Sequence, residues 1–211
     1  MYDVINDLGL ETTQDTIIKV MGVGGGGGKA VNYLYSQGIT DVSFLVCNTD
    51  KQCLNGSSVP AKLQLGPGWG AGGKPEVAQQ YAEESRERIR EALNDGTQML
   101  FITAGMGGGT GTGASSIVAE VAREMNILTV GIVTIPFAFE GPVKIKKAMI
   151  GVAKLAEHVD AILVINNQKL LHIYPDFSML NAFKKSDDVV ANAARSIAEI
   201  ITIPGYINTD F

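Results

Sequence analysis

The segment GGGTGTG at residues 107–113 follows the apolar run MLFIT at 99–103 and precedes a helical pattern over 114–125. Glycine accepts a positive φ and has no side chain, so a turn of this composition lets backbone amides converge on an anion. The helix behind the turn adds unpaired amides and the positive end of a dipole. A merely tight turn needs neither so many glycines nor the two threonines. The segment therefore predicts a phosphate-binding turn.

A second glycine-rich segment, GVGGGGG, occupies residues 22–28. It lies between a predicted strand at 16–21 and a predicted helix at 29–37. Because parallel strands end at one edge of a sheet, the two glycine turns are expected on the same edge. Two such turns predict one polyphosphate held from two sides.

Taken alone, the first turn favours a different ligand. Gly22-x-Gly24-x-x-Gly27 satisfies the dinucleotide fingerprint, and Asp50 follows the next predicted strand, where a ribose-binding acid belongs. A P-loop fits less well, because Val23 replaces a required glycine and Ala30 stands where a magnesium-binding hydroxyl is needed. The second turn decides against a dinucleotide fold, which has no need of GGGTGTG on a later strand.

Strand and helix patterns alternate along the chain. Strands are predicted at 16–21, 42–47, 99–103, 128–135 and 161–165, and helices at 29–37, 75–93, 114–125, 143–157 and 186–201. This alternation predicts an α/β fold, a three-layer parallel sheet with helices on both faces and a Rossmann-like connectivity. Residues 1–15 are expected to be a flexible lead-in, and 16–211 one domain that ends in a long core helix.

Composition narrows the functional classes. The chain has 211 residues and a net charge of −5, which argues against a general nucleic-acid binder and against a basic membrane-binding surface. No apolar run is long enough to span a bilayer. Cys47 and Cys53 lack the spacing of a zinc or redox pair, and His158 and His172 form no metal-ligand cluster. No metal ligand is predicted with certainty.

These motifs together resemble the tubulin/FtsZ superfamily of GTPases. GGGTGTG is its signature, and GVGGGGG, NTD at 48–50, PFAFEG at 136–141 and GYINTDF at 205–211 resemble its FtsZ-like cell-division members. The resemblance covers residues 17–211. It implies binding of GTP or GDP, with Mg²⁺ accompanying GTP, and assembly-dependent GTP hydrolysis.

The resemblance implies a set of phosphate contacts in the two glycine turns. They are Gly24, Gly25, Gly26, Gly105, Gly107, Gly108, Gly109, Thr110, Gly111, Thr112 and Gly113, with the two threonines donating hydroxyls. The γ-phosphate sensor would be Ala71, Gly72 and Gly73. Asn48 and Asp50 would lie near the phosphates and the metal ion.

Further positions resemble the nucleoside contacts. Pro136 and Glu140 match ribose contacts, Asn167 and Asp188 match residues that read guanine, and Phe183 matches an aromatic that stacks on the base. A carboxylate such as Asp188 accepts from both N1–H and the exocyclic amine of guanine, which adenine cannot offer. Lys29 and Lys144 replace a usual Asn and a usual Arg, and the loop at 66–76 is short and contains Trp69.

The resemblance also implies self-association. Asn208 and Asp210 match a loop that enters the γ-phosphate site of the next subunit and positions the attacking water, so that stacking head to tail yields filaments. The implied setting is the cytoplasm at the midcell division ring. Adaptor and regulator proteins would bind regions outside this chain, with no nucleic-acid partner and no direct membrane insertion.

The family motif continues three residues beyond Asp210 with a further acid, and its second domain follows. We therefore expect an excised GTP-binding domain that binds nucleotide but hydrolyses it poorly alone. Two other functions remain open at this point. One is an oxidoreductase that uses NAD through the first glycine turn, and the other is a structural relative that binds nucleotide without turnover.

Overall fold

A six-stranded, entirely parallel sheet forms the centre of this computed structural model, which describes residues 17–39 and 42–202. The spatial order is β3-β2-β1-β4-β5-β6. The strands are β1 (Ile18–Val23), β2 (Val42–Asn48), β3 (Lys62–Gln64), β4 (Met99–Gly105), β5 (Leu128–Ile135) and β6 (Ala161–Asn166). The predicted α/β class and all five predicted strands are confirmed; β3 is an addition.

Eight α-helices accompany the described strands, six of them between strands and two after β6, together with one 3₁₀ turn at Ala138–Glu140. The helices are α1 (Gly24–Ser36), α2 (Lys51–Asn55), α3 (Pro75–Glu83), α4 (Arg86–Leu93), α5 (Thr110–Glu124), α6 (Pro142–Ala156), α7 (Asn167–Ile173) and α8 (Met179–Thr202). Neither α2 nor α7 was predicted, because helices of five and seven residues are too short to show a period.

The central strands are buried on both faces. In β1, Val20 packs with α1 and α8 in one core, while Met21 packs with α4, α5 and α6 in the other. The neighbouring β4 divides in the same way, with Phe101 in the first core and Ile102 in the second. This alternation of side chains along continuously apolar strands produces the predicted three layers.

Several helix boundaries differ from the predictions. α1 begins at Gly24 rather than 29, and α5 begins at Thr110 rather than 114. Glycine disfavours helix interiors, so propensity alone places these starts too late. The predicted helix at 75–93 divides at Ser85. α8 begins at Met179, seven residues before the predicted start at 186, which places Asp188 in the helix interior.

The order of strands sets the position of a binding crevice. The chain moves outward from β1 to β2 and β3, then returns to the other side of β1 with β4. α1 and α5 therefore start side by side at the carboxyl ends of two adjacent strands, and ligands of open α/β sheets bind at such a reversal point. Among the described helices, none combines the length and apolarity needed to cross a bilayer.

Candidate nucleotide-binding site

The first turn of α1 consists of glycines, which have no side chains. Gly24 has φ +75°, and Val23 before it offers no side-chain cap to the helix. The first amides of a helix have no partner within the helix, so those of this glycine-rich first turn remain free for a ligand. Gly25 and Gly26 are exposed, whereas Gly27 is buried against β4.

A buried hydroxyl group stabilises the turn at the start of α5. Gly107 has φ +99°, and its amide donates to Oγ1 of Thr112 at 2.8 Å. Thr112 is 4% exposed, so its hydroxyl stabilises the turn. The hydroxyl of Thr110 instead lies 2.8 Å from that of Thr49 at the end of β2. Donation of hydroxyl groups from both threonines to a phosphate stays a prediction.

The two helix starts touch each other. A methyl group added to Gly24 would lie 2.8 Å from the amide nitrogen of Gly111, and one added to Gly26 would lie 3.2 Å from Cα of Gly105. A side chain at Gly24 would push α1 away from α5, and one at Gly26 would push α1 away from the end of β4. Two positive helix ends and two sets of free amides therefore adjoin, which is a site for an anion with more than one charged group.

The turn at 71–73 borders the start of α5. A methyl group on Gly109 would lie 2.9 Å from Cβ of Ala71 and 3.1 Å from the amide nitrogen of Lys74. Gly72 and Gly73 have φ of +57° and +70°. Among the described residues, the amides of 71–73 donate to no backbone carbonyl. Three segments with free amides thus lie in one row: α1, α5 and this turn.

Polar residues at the end of β2 lie at the same edge of the sheet as the glycine turns. Asn48 is 6% exposed and accepts from the amide of Asp50 at 3.2 Å through Oδ1. Asp50 caps α2, since its Oδ1 accepts from the amides of Gln52 at 2.8 Å and Cys53 at 3.3 Å. One carboxylate oxygen of Asp50 has these structural partners, and the other remains for a ligand or a metal ion.

The segment at 136–144 closes the other side of the α5 turn. A methyl group on Gly107 would lie 3.0 Å from Cγ of Pro136 and 2.9 Å from the carbonyl oxygen of Lys144. Glu140 accepts from the amide of Phe137 at 3.0 Å and pairs with Lys144 at 3.2 Å. Glu140 and Lys144 therefore neutralise each other beside the crevice.

An aromatic cluster joins α8 to this segment. The ring of Phe183 meets that of Phe137 edge to face at 5.1 Å and that of Phe139 at 6.1 Å. Asn167 is buried and accepts from the hydroxyl of Ser186 on α8 at 2.7 Å. Phe183 keeps 37% of its surface exposed, so part of the side chain remains available for a ligand.

Asp187 is a residue that the sequence reasoning missed. It lines a cavity of about 20 Å³ together with Gly26, Gly27, Gly105 and Thr134, whereas its neighbour Asp188 does not. Burial raises the pKa of Asp187 to about 6, an effect that the charge of Asp188 increases and that of Lys29 opposes. The resemblance pointed to Asp188, and nothing in the sequence marked Asp187 as lining this cavity; the guanine-reading role of Asp188 stays a prediction.

Lys29 is exposed on α1 and lines a larger cavity, of about 260 Å³, between α1, β2 and α2. This cavity brings Gly24 and Gly25 together with Asn48 and Cys53. The positive charge of Lys29 lowers the pKa of Asp187 on one side and that of Cys53 on the other, although burial and Asp50 leave the Cys53 pKa raised. The predicted catalytic residues Asn208 and Asp210 lie outside the described residues.

This parallel α/β domain, with two glycine-built helix starts meeting at a strand-order reversal, belongs to the nucleotide-binding class. A family profile described as "Tubulin/FtsZ family, GTPase domain" matches residues 17–175. The chain therefore belongs to the tubulin/FtsZ family. This membership decides between the GTPase domain and the dinucleotide-binding oxidoreductase in favour of the former.

Individual relatives support the same family assignment. The chain is 56% identical over 200 residues to cell division protein FtsZ of Porphyromonas gingivalis, covering 92% of this chain and 44% of the relative. It is 51% identical over 216 residues to cell division protein FtsZ of Pseudomonas aeruginosa, covering 100% and 54%. The chain thus spans about half the length of these curated relatives.

The fold also matches solved structures. The empty FtsZ dimer of M. jannaschii superposes with a TM-score of 0.89 at 40% identity, covering all of this chain and 62% of that one. CetZ2 of Haloferax volcanii shares the fold alone, with a TM-score of 0.78 at 23% identity over 90% of this chain and 60% of that one.

Proposed function

We propose that this chain binds a guanine nucleotide with its phosphates across the starts of α1 and α5. The observation that carries the proposal is the contact between Gly24 and Gly111, which joins two helix N-termini into one anion site. A single phosphate needs only one such end. Two adjoining ends and the neighbouring turn at 71–73 suit a chain of phosphates.

Guanine is proposed to lie beyond the first turn of α1, toward α8. Phe183 on α8 is 37% exposed, and Asp187 on the same helix lines a small cavity together with Gly26. We assign the guanine-reading carboxylate to the pair Asp187 and Asp188, with Asp187 the member that lines the crevice. An ionised carboxylate there accepts two hydrogen bonds from guanine and none of that kind from adenine.

Mg²⁺ is proposed to arrive with the triphosphate. The described residues contain no group of three acidic, histidine or cysteine side chains able to hold a metal ion alone. Mg²⁺ commonly binds through substrate phosphates, water and one or two carboxylates, and Asp50 with its one free oxygen fits that requirement. Bound there, the ion would neutralise charge on the phosphates.

Hydrolysis and assembly are proposed for the longer protein to which this domain corresponds. Asn208 and Asp210 would act on nucleotide held by the next subunit, which makes GTP hydrolysis depend on head-to-tail contact. The relatives named as cell division proteins, and the solved FtsZ dimer, support a cytoplasmic division-ring filament at midcell, with adaptors bound elsewhere. Alone, this chain is expected to turn over GTP slowly.

Calorimetric titration of the nucleotide-free chain tests binding. GDP and a non-hydrolysable GTP analogue are expected to bind much more tightly than ADP or NAD, and mass spectrometry of the untreated chain is expected to find guanosine diphosphate. Equal affinity for ADP and GDP would refute the base assignment. Preference for NAD would overturn the proposal.

A further inference from the structure

The turn at 71–73 does not fix its own shape. Gly72 and Gly73 are consecutive residues with positive φ, and a methyl group on either would meet no atom within 4 Å. Glycine pairs reach many conformations at similar energy. The conformation seen here must therefore be selected by contacts at the ends of the turn.

Lys147 supplies the long-range contact. Its ammonium nitrogen donates to the carbonyl oxygen of Gly73 at 2.7 Å, from a position 74 residues later in the middle of α6. The amide of Lys74 closes the turn onto the carbonyl of Ala71 at 3.0 Å. Among the side-chain hydrogen bonds of the described residues, the bond from Lys147 is the one that joins this turn to a helix.

The turn lies between α6 and the start of α5. Lys147 holds Gly73 on one side, and on the other side Ala71 packs against Gly109. Because Gly73 itself is within 3.4 Å of a methyl group placed on Gly109, a small displacement of the turn changes its distance from the α5 start. Lys147 thus fixes where the free amides of 71–73 stand relative to the amides of α5.

The position of the turn in the row of amide segments decides which phosphate it serves. α1 contacts α5 through Gly24 and Gly111, and the turn contacts α5 through a different residue, Gly109. Two phosphates are accommodated by the two helix starts. A third, terminal phosphate extends the anion toward the remaining segment with free amides, which is the turn.

We propose that Lys147 is a positioning residue that holds the 71–73 turn against the start of α5, and thereby sets the preference for nucleoside triphosphate over diphosphate. This inference rests on the proposed function. The lysine acts through Gly73, with which it forms its hydrogen bond, and its charge adds to the attraction for an anion.

Lys154 provides a matched control. It lies two turns further along α6, lines the same groove between α3, α5 and α6, and also donates across it, to Oε1 of Gln79 at 3.2 Å. Its bond does not involve the 71–73 turn. Lys154→Met therefore removes an equal charge and a comparable bond from the same helix.

The test is the affinity of each variant for GDP and for guanosine 5′-O-(3-thiotriphosphate) with Mg²⁺, by calorimetry. Lys147→Met is expected to weaken the triphosphate about tenfold, as expected for one charge-assisted hydrogen bond, with GDP changed less than about twofold. Lys147→Arg should restore most of the preference, and Lys154→Met should leave it unchanged.

Other outcomes separate the two proposals. If the parent chain binds neither nucleotide, the proposed function fails and this inference fails with it. If the parent binds both and Lys147→Met weakens both equally or neither, the inference alone is overturned. Hydrogen exchange of the Lys74 amide, which bonds to the carbonyl of Ala71, adds a second readout in the ligand-free chain. Lys147→Met should speed this exchange and Lys154→Met should not.

Discussion

Gly27 on α1 and Thr103 on β4 meet through their backbones. A methyl group on Gly27 would lie 2.0 Å from the carbonyl oxygen of Thr103, and the hydroxyl of Thr103 donates to the carbonyl of Gly27 at 3.3 Å. The first turn of α1 consequently rests directly on the strand. This close approach brings its free amides to the edge of the sheet where α5 begins.

Gly27→Ala and Gly28→Ala should have opposite effects on stability. Alanine at 27 collides with backbone, which costs more than about 2 kcal/mol of unfolding free energy. A methyl group at Gly28 meets no atom within 4 Å, and alanine there should stabilise α1 by about 0.5–1 kcal/mol. Urea denaturation measures both; equal stabilities for the two variants would contradict the packing described.

Gly108→Ala should uncouple folding from binding. The added methyl group meets no protein atom within 4 Å, so the melting temperature should stay within about 2 °C of the parent. The same methyl group projects from the turn proposed to hold the phosphates, so GDP affinity should fall about tenfold. Unchanged affinity in a folded variant would place the phosphates elsewhere.

Nucleotide affinity should decline in mild acid. The pKa of Asp187 is raised to about 6 by burial, so the ionised form that accepts from guanine is depleted below that pH. The dissociation constant for GDP should be about tenfold larger at pH 5 than at pH 7.5. Titration calorimetry across this range measures the change.

Asp187→Asn is the control for that pH dependence. The terminal phosphate of GDP also titrates near pH 6, and its contribution persists in the variant. The variant should bind GDP weakly and lose the part of the slope that belongs to the carboxylate. A parent-like slope in Asp187→Asn would assign the whole effect to the ligand.

The same substitution should stabilise the ligand-free chain. Between the unfolded pKa of 3.8 and the folded pKa of about 6, the folded chain holds a proton that the unfolded chain has released. Unfolding free energy therefore falls as pH rises through this window, and the loss is complete above it. Asp187→Asn should melt higher than the parent at pH 7.5 and equally at pH 3.5. A lower melting temperature at pH 7.5 would show that Asp187 is structurally required.

The stability of the fold should depend on the ion pair between Lys19 and Asp95. Lys19 is 4% exposed on β1 and donates to Asp95 and to the carbonyl of Ala92, each at 2.6 Å. Burial acts to raise the pKa of Asp95, but hydrogen bonds from Lys19 and Thr97 hold it below its usual value. Because the Asp95 side chain is 54% exposed, solvent screens the pair, and Asp95→Ala should cost about 1 kcal/mol in urea denaturation. Glu91→Ala, on the exposed surface of α4, should cost less than about 0.5 kcal/mol.

The sheet was predictable from sequence because its strands are continuous apolar runs, and the glycine turns marked the binding edge. The helix starts were not predictable, since α1 and α5 begin where Gly27 and Gly111 pack closely on strand backbone, a relation that no local pattern encodes. The crevice position of Asp187 and the reach of Lys147 to Gly73 depend on how distant helices face each other. Such relations appear only after the chain has folded.

A phosphate site that is proposed to consist of main-chain amides has an evolutionary consequence. Replacing Gly24, Gly26 or Gly111 cannot adjust the strength of phosphate binding, because any side chain there would collide with the backbone of the neighbouring helix start or strand end. Selection can alter the preference for triphosphate over diphosphate through residues that shift the backbone from a distance. Natural variation in how this family discriminates nucleoside triphosphate from diphosphate should therefore concentrate at residues that lie behind the glycine turns.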